Sequence, residues 1–356
     1  MITLALTYRN RDLAIVKNCL DSLAQQSYRS FQVILVDYGS GEAFTKTLSQ
    51  LVGNYPFVQL INCPVQGQLW NKSRAINIVL KLTETPYFLV GDIDMIFRKD
   101  FFLKLFHLKS EKATTYFQVG FLNKEESKKI KPFEDYKINH FSSKDATGMT
   151  LYPAALLKSI NGYDEFYHGW GAEDTDVHVR LQNKRAIVNF YNEEVLILHQ
   201  WHPKSYRTRD GLAPYHSQLE KINHRYIQQT EKLKVIKANS HFNWGILPTV
   251  DDYFDLEQPQ YTFSITNEKN DIEAFLAGTL FNLKDVILNV EIVTHLSYKS
   301  LMNKVKKLTG KKHYQFFAFD EISDAILLTV ISSFRNQPYH FEYSKKEQTI
   351  NFKIKL

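Results

Sequence analysis

The sequence predicts an α/β protein built on a largely parallel sheet, followed by a second, smaller α/β domain. Three observations carry this expectation. Short apolar runs alternate with amphipathic stretches from Met1 to about Leu122, polar clusters follow those runs directly, and the texture changes beyond about Trp244. Strand and helix in alternation imply parallel strands joined by crossover helices. The expected division is residues 1–243 and residues 244–356.

Ile2–Leu6, Phe31–Val36, Val58–Ile61 and Tyr87–Val90 read as strands. Between them, Val16, Cys19, Leu20 and Leu23 recur at helical spacing, and Ile76, Val79 and Leu80 repeat it, so each segment lays one apolar stripe on the sheet. Asn123 to Lys144, rich in Lys, Glu and Ser, reads as a mobile loop. Helices are expected over Leu151–Ile160 and Asp174–Leu181, and strands over Ile187–Phe190 and Val195–Leu198. Pro203 to His216, with Lys204, Arg207 and Arg209, reads as a loop that orders over substrate. In the second domain, strands are expected at Tyr261–Ile265, Val286–Val293, Tyr314–Phe319 and Ile350–Ile354, with helices at Ile272–Leu283 and Ile322–Phe334. That domain shows no catalytic constellation, which leaves acceptor capture or subunit contact as its expected role.

With 356 residues, 44% of them hydrophobic, the chain is long enough to bury a full core. Its net charge of +6, from 44 basic and 38 acidic residues spread along the chain, is too small to argue for nucleic acid. It suits weak attraction to anionic nucleotides, acidic glycans or a membrane face. Cys19 and Cys63 have no metal or redox spacing and read as inert thiols in a reducing compartment. Arg9 and Arg11 leave no room for a signal-peptide core, and no apolar run is long enough to span a bilayer. The expected location is therefore cytoplasmic, with peripheral contact at the inner membrane face if the acceptor is lipid-linked. The basic run Lys304–Lys312 is compatible with such contact, though a solvated helix face is its plainer reading.

In open α/β sheets, ligands bind at the carboxyl ends of strands. Three polar clusters stand there: Thr7-Tyr8-Arg9-Asn10-Arg11, Asp37-Tyr38-Gly39-Ser40-Gly41 and Asp92-Ile93-Asp94. Paired carboxylates at a strand end suit Mg²⁺ or Mn²⁺, which would hold a diphosphate and neutralise the departing nucleotide. His199 and His202 are candidates to complete that site, and an imidazole favours Mn²⁺. Arg9, Arg11 and Arg74 are candidate diphosphate contacts, and Asp37 a candidate acceptor for a uracil or ribose. Gly169 to Asp176 sets Trp170, a flat platform for a sugar ring, beside Glu173, Asp174 and Asp176 at the start of a helix. Acidic residues in a first turn are ordinary dipole chemistry, but that does not account for the tryptophan. Glycosyl transfer needs a carboxylate within reach of the acceptor hydroxyl, and Asp174 is the candidate base.

Over Met1 to roughly Asp210 these motifs resemble glycosyltransferases with the GT-A fold, a Rossmann-like nucleotide-diphospho-sugar transferase architecture. Val36-Asp37-Tyr38-Gly39-Ser40 and Arg74-Ala75-Ile76-Asn77 look like family 2 inverting enzymes, with Tyr38 where a second acidic residue is usual. Thr7-Tyr8-Arg9-Asn10-Arg11 and His168 to Asp176 look like the beta-1,4-galactosyltransferases and related galactosaminyltransferases. The resemblance implies that Thr7, Arg9, Arg11, Asp37, Arg74 and Asp92 serve the donor nucleotide and that Asp94 binds metal. It further implies that Trp170, Glu173 and Asp174 face the acceptor, with Glu173 and Asp174 at the catalytic position, and that the anomeric carbon inverts. The galactosyltransferases place a methionine where His199 stands and a histidine where His202 stands, so the third ligand lies between these two.

The leading expectation is transfer of a hexose or N-acetylhexosamine, of Gal or GalNAc type, from a UDP-sugar to a glycan or glycolipid, with Mn²⁺ or Mg²⁺. Nucleotidyl transfer is one alternative, but it gives no reason for Trp170. A non-catalytic glycan-binding protein on the same fold is the other.

Overall fold

The computed structural model describes residues 1–203 and 214–356. Lys204, Arg207 and Arg209 of the expected substrate loop lie outside the described residues. The chain divides into two compact units, one formed by Met1–Cys63, Trp70–Thr208 and Glu220–Leu247, the other by Pro64–Leu69, Arg209–Leu219 and Pro248–Leu356.

The first unit opens with β1 (Ile2–Tyr8), α1 (Leu13–Ala24), β2 (Phe31–Tyr38), α2 (Glu42–Val52), β3 (Val58–Cys63), α3 (Lys72–Leu82) and β4 (Tyr87–Asp92). It continues with β5 (Met95–Phe97), α4 (Phe101–Leu108), β6 (Ala113–Phe117), β7 (Gly120–Phe121), β8 (His140–Phe141), β9 (Thr150–Pro153) and α5 (Ala154–Ser159). The elements α6 (Glu173–Asn183), β10 (Ile187–Tyr191), β11 (Ile197–His199) and α7 (Leu219–Lys232) complete the order.

Seven strands form the main sheet in the order β10-β6-β9-β4-β1-β2-β3. The run β4-β1-β2-β3 is parallel throughout, and only β9 runs against its neighbours. β1 sits inside that run with all seven of its residues buried. That is why its sequence is apolar without a polar alternation: both faces are covered. The stripe of α1 (Val16, Cys19, Leu20, Leu23) lies in the same apolar cluster as Leu4, Leu6 and Leu35. Fully burying each such aliphatic side chain contributes about 1.5–3 kcal/mol. Asp12 caps the helix by accepting from the Ala14 N–H at 2.9 Å.

The expected helix over Leu151–Ile160 is wrong in its first third. Thr150–Pro153 is strand β9, and the helix begins only at Ala154. Pro153 explains this, because a proline pushes the residue before it out of helical backbone and suits a helix entry itself. The Asn123–Lys144 excursion also has internal structure. The Glu126 carboxylate accepts from Lys129 Nζ at 2.7 Å and from the Lys137 N–H at 2.9 Å, and it pairs with Lys131. A second, four-stranded sheet, β5-β11-β7-β8, stands beside these connections.

The second unit contains α8 (Val250–Phe254), β12 (Tyr261–Thr266), α9 (Lys269–Ala274), α10 (Leu280–Asn282), β13 (Ile287–Val293), α11 (Leu301–Leu308), α12 (Phe319–Ser333), β14 (Tyr339–Ser344) and β15 (Thr349–Lys355). Its sheet runs β12-β13-β15-β14. Tyr314–Phe319 is not the strand the sequence predicted. Phe316 makes a single bridge to Glu268, and Phe319 already starts α12, while the strand that was missed is β14. The segment Pro64–Leu69, between β3 and α3, belongs to this unit. Its Gly67 carbonyl accepts from the Phe341 N–H, and the Leu69 N–H donates to the Tyr339 hydroxyl. Gly67 has φ +76°, and a Cβ there would lie 2.2 Å from His340 Nδ1, so only glycine fits. No helix among the described residues is long and apolar enough to cross a membrane.

Under α6 lies a fully buried ion pair, Arg180 Nε to Asp176 Oδ2 at 2.6 Å, with the other guanidinium nitrogens donating to the carbonyls of Ile160 and Gly162. Removing one partner of such a pair leaves a buried charge uncompensated. Arg180→Ala should therefore cost about 3–5 kcal/mol of unfolding free energy, read from the urea midpoint of the full chain.

Candidate active site

Parallel pairing aligns Thr7 of β1 with Asp92 of β4, and Tyr8 with Asp37 of β2, so the carboxyl ends of three strands fall level. The loops above them are latched together. Asn10, in left-handed backbone, donates its N–H to Ser40 Oγ and accepts from the Gly41 N–H through its side chain, each at 2.9 Å. Asp37 is buried. Its carboxylate accepts from the Ser40 N–H at 3.1 Å and the Thr45 hydroxyl at 2.8 Å, while burial raises its pKa above the usual carboxylate value.

Past β4 the chain turns through Ile93 and Asp94 into β5, whose antiparallel pairing with β11 sets His199 opposite Met95. Gln200 N–H donates to the Asp94 carbonyl at 2.9 Å and the Gln200 side chain bonds to α1 residues, so one of the two residues between the histidines is clamped. His202 Nε2 lies 3.1 Å and His199 Nε2 3.6 Å from the Asp94 carboxylate, with Arg11 Nη2 at 3.4 Å. Phe121 stacks on the His199 ring at 4.7 Å. Burial opposes ionisation of Asp94, but His199, His202 and Arg11 outweigh it and hold the carboxyl well below the carboxylate range. Burial also pushes the His199 imidazole below its ordinary value, against the pull of Asp94.

These three side chains fit a divalent cation. Their ligand atoms lie within 4.8 Å of one another, and Asp94 Oδ1 is buried without a hydrogen-bond partner. One carboxylate and two imidazoles form a mixed O/N set of the kind that accepts Mn²⁺.

A second cluster meets at Lys72, the first residue of α3. Its Nζ lies 2.9 Å from Asp174 Oδ2, 3.0 Å from Asp92 Oδ1 and 3.8 Å from Glu173 Oε1. Burial disfavours the ammonium, yet the three carboxylates hold its pKa well above the usual lysine value. One cation cannot neutralise three anions. Burial and the Asp174 charge push the Glu173 carboxyl up to about 7, and burial raises Asp92 as well. Asp174 Oδ1 is buried and has no hydrogen-bond partner.

Glu173 and Asp174 open α6, just after Trp170. The turn between them is unusual in its backbone: Gly169, Gly171 and Ala172 have φ of 71°, 103° and 72°. Ala172 adopts a left-handed conformation that disfavours side chains. Asn223 of α7 fixes the turn by donating to the carbonyls of His168 and Trp170 at 3.0 and 3.2 Å. Trp170 is 42% exposed, a large ring held open to solvent. Asp176, by contrast, is turned inward to Arg180 and Tyr167.

Of the residues expected to serve the donor, Thr7 and Asp37 sit buried at the strand ends and Asp92 is tied to Lys72. Arg11 instead faces Asp94. Arg74 is buried, and its Nε donates to Glu165 at 2.8 Å, which commits that nitrogen to the support beneath α3. Glu165 also accepts from Asn77 and from the Gly245 N–H. Sequence reasoning missed both Lys72 and Glu165. Lys72 did carry a signal, because a cation in the first turn of a helix opposes the dipole and α3 has no acidic residue there to offset it. A local rule broken without compensation points to a site.

Residues 3–155 match the model of Glycosyl transferase family 2, and residues 129–202 match that of the N-terminal domain of galactosyltransferase. Over these residues the first unit is similar to glycosyltransferases. The two matches overlap and together cover Lys72, Asp92, Asp94, Glu173, Asp174 and both histidines, so both likenesses seen in the sequence are recovered. Chondroitin sulfate synthase 3 of Homo sapiens is 27% identical over 188 residues, 48% of this chain and 20% of that protein. The teichoic acid poly(glycerol phosphate) polymerase of Staphylococcus epidermidis is 30% identical over 94 residues, 26% of this chain and 12% of that one. The chain thus spans a fifth or less of the length of each of these curated relatives. S. aureus TarS 1-349 in complex with UDP is similar at 13% identity and TM-score 0.47, covering 97% of this chain and 94% of that one.

Two outcomes follow from the geometry. Mn²⁺ titrated into the metal-free chain should bind in a calorimeter, and Asp94→Ala or His202→Ala should weaken it at least tenfold. Glu173 has a raised carboxyl pKa, so folding holds its proton through the window between the ordinary value near 4.5 and about 7, and its contribution to stability falls as pH rises across that window. Glu173→Gln keeps the neutral form. Urea midpoints should show the variant gaining on the parent from pH 4.5 to 7 and holding level above.

Proposed function

We propose that this chain transfers a hexose or N-acetylhexosamine, of Gal or GalNAc type, from a UDP-sugar to a glycan or glycolipid, inverting the anomeric carbon. The observation that carries this reading is the Lys72-held Asp174 carboxylate, with one oxygen unpartnered, four residues after an exposed tryptophan. The family matches support sugar transfer. The names of the two curated relatives, a chondroitin sulfate synthase and a poly(glycerol phosphate) polymerase, favour a polymeric acceptor.

In this reading Trp170 carries the acceptor sugar on its face, and Asp174 Oδ1 takes the proton of the acceptor hydroxyl. As that proton leaves, the hydroxyl oxygen forms its bond to the anomeric carbon from the side opposite the diphosphate. The bond from that carbon to the diphosphate oxygen breaks, and UDP departs with the electron pair. One displacement from the opposite face inverts the centre. Thr7, Asp37 and Arg9 surround the nucleotide at the strand ends. A divalent ion held by Asp94, His199 and His202 would neutralise charge on the diphosphate when bound.

Lys72 is a positioning residue. It holds the Asp174 carboxylate beside Asp92 through ion pairs at 2.9 and 3.0 Å and leaves Asp174 Oδ1 without a hydrogen-bond partner. Without that cation the like charges of Asp92 and Asp174 would repel one another and the carboxylate would lose its position.

UDP-sugar turnover with a glycan acceptor should release free UDP, and release of pyrophosphate would overturn the reading. Asp174→Asn should bind donor within about threefold of the parent and lose about 10²–10⁴ in kcat. Lys72→Met should lose kcat while leaving the donor KM nearly unchanged and move the acidic limb of the pH–rate profile upward, with Lys72→Arg restoring most of both. A Lys72→Met enzyme with a parental pH profile would sink the positioning role.

A further inference from the structure

α11 of the second unit is amphipathic in the wrong sense for a helix that packs on its own domain. Leu301, Met302, Val305 and Leu308 fall within an arc of about 120° at helical spacing, the pattern of a face that seeks an apolar partner. That face is bare. Leu301 is 79% and Leu308 86% exposed, and Leu296, in the turn before the helix, is 100% exposed. The side that holds the helix in place is polar. Asn303 donates its side-chain amide to the Tyr314 carbonyl at 3.0 Å, and its side-chain carbonyl accepts from the Tyr314 N–H at 2.9 Å. Ser300 caps the first turn by accepting from the Asn303 N–H. The domain therefore grips α11 by its polar side and presents its aliphatic side to solvent.

The charges around this face are of one sign. From Ile292 to Phe319 there is no acidic residue, while Lys299, Lys304, Lys306, Lys307, Lys311 and Lys312 all fall in that stretch. On the helical wheel Lys304 and Lys306 flank the apolar arc on either side, and both are exposed. Their aliphatic stems can lie along an apolar surface while the ammonium groups reach past it. A folded protein partner with an apolar groove would not require cations on both rims, and nucleic acid would not require the aliphatic ridge. A surface with hydrocarbon below and negative charge at the same level requires both.

We infer that α11, with Leu296 beside it, is an interfacial anchor that seats this chain on an anionic phospholipid bilayer, its apolar arc among the acyl chains and its lysines among the phosphates. The inference does not depend on the proposed sugar transfer. The helix is short, so binding is reversible and salt-sensitive rather than permanent.

Flotation of the full chain with vesicles tests it. Vesicles of phosphatidylglycerol and phosphatidylcholine at 1:3 should carry the protein up at 50 mM salt, vesicles of phosphatidylcholine alone at least tenfold less, and 500 mM salt should release it. Val305→Asp combined with Leu308→Asp should abolish flotation, and Lys304→Gln with Lys306→Gln should weaken it at least fivefold. All four side chains are exposed, so each variant should retain the parental melting temperature. Absence of flotation with anionic vesicles, or flotation unchanged in the variants, would overturn the anchor. Self-association without lipid that the Val305→Asp, Leu308→Asp variant abolishes, with no vesicle binding by the parent, would instead assign the face to a second copy of the chain and overturn it equally.

Discussion

The candidate site turns on a single ammonium group. Lys72 stands between Asp92, which ends a strand of the parallel sheet, and Asp174, which begins a helix 102 residues later in the chain. Two carboxylates brought this close inside a protein repel one another and resist ionisation. The cation between them lets both stay near each other, and it links the end of β4 to the first turn of α6. The remaining excess of negative charge appears on Glu173, whose carboxyl holds its proton up to about 7.

Much of the first unit serves to keep that lysine in place. Asn71 caps α3 by accepting from the Arg74 N–H and donates its amide to the Glu165 carbonyl. Arg74 and Asn77 then both donate to the Glu165 carboxylate, so the start of α3 is bonded to the chain that leads towards Trp170. A buried charge pair of this kind contributes little net stability by itself. What it contributes is register, since α3 cannot slide without breaking several bonds at once. The Asp176 and Arg180 pair does the same for the base of α6.

The parallel strands and their helices were legible because buried strands and one-sided helices leave strong periodic signatures. The strand-end carboxylates drew notice because the carboxyl ends of strands are where ligands bind in such sheets, and the Trp170 segment because first-turn acidic residues do not account for a tryptophan beside them. Thr150–Pro153 was misread because a four-residue strand leading into a helix leaves no period of its own, and only Pro153 marks the change. Tyr314–Phe319 was misread because its aromatic residues carry strand propensity, while their placement is decided by packing around His295 and Tyr298. The support that Arg74 gives to α3 was not legible, because its partner Glu165 is 91 residues away in the chain. Of the two residues overlooked, only Lys72 broke a local rule.

The turn that carries Trp170 separates what shapes it from what it presents. Its shape is written in the main chain, by glycines at 169 and 171, by the left-handed Ala172 and by the two bonds from Asn223. The indole is partly exposed at the top of that turn. The residues that give the turn its shape are therefore not the residue whose ring it presents. Main-chain geometry and side-chain chemistry are thus assigned to different positions of one short segment, and a side chain at 170 inherits a placement that it does not itself create.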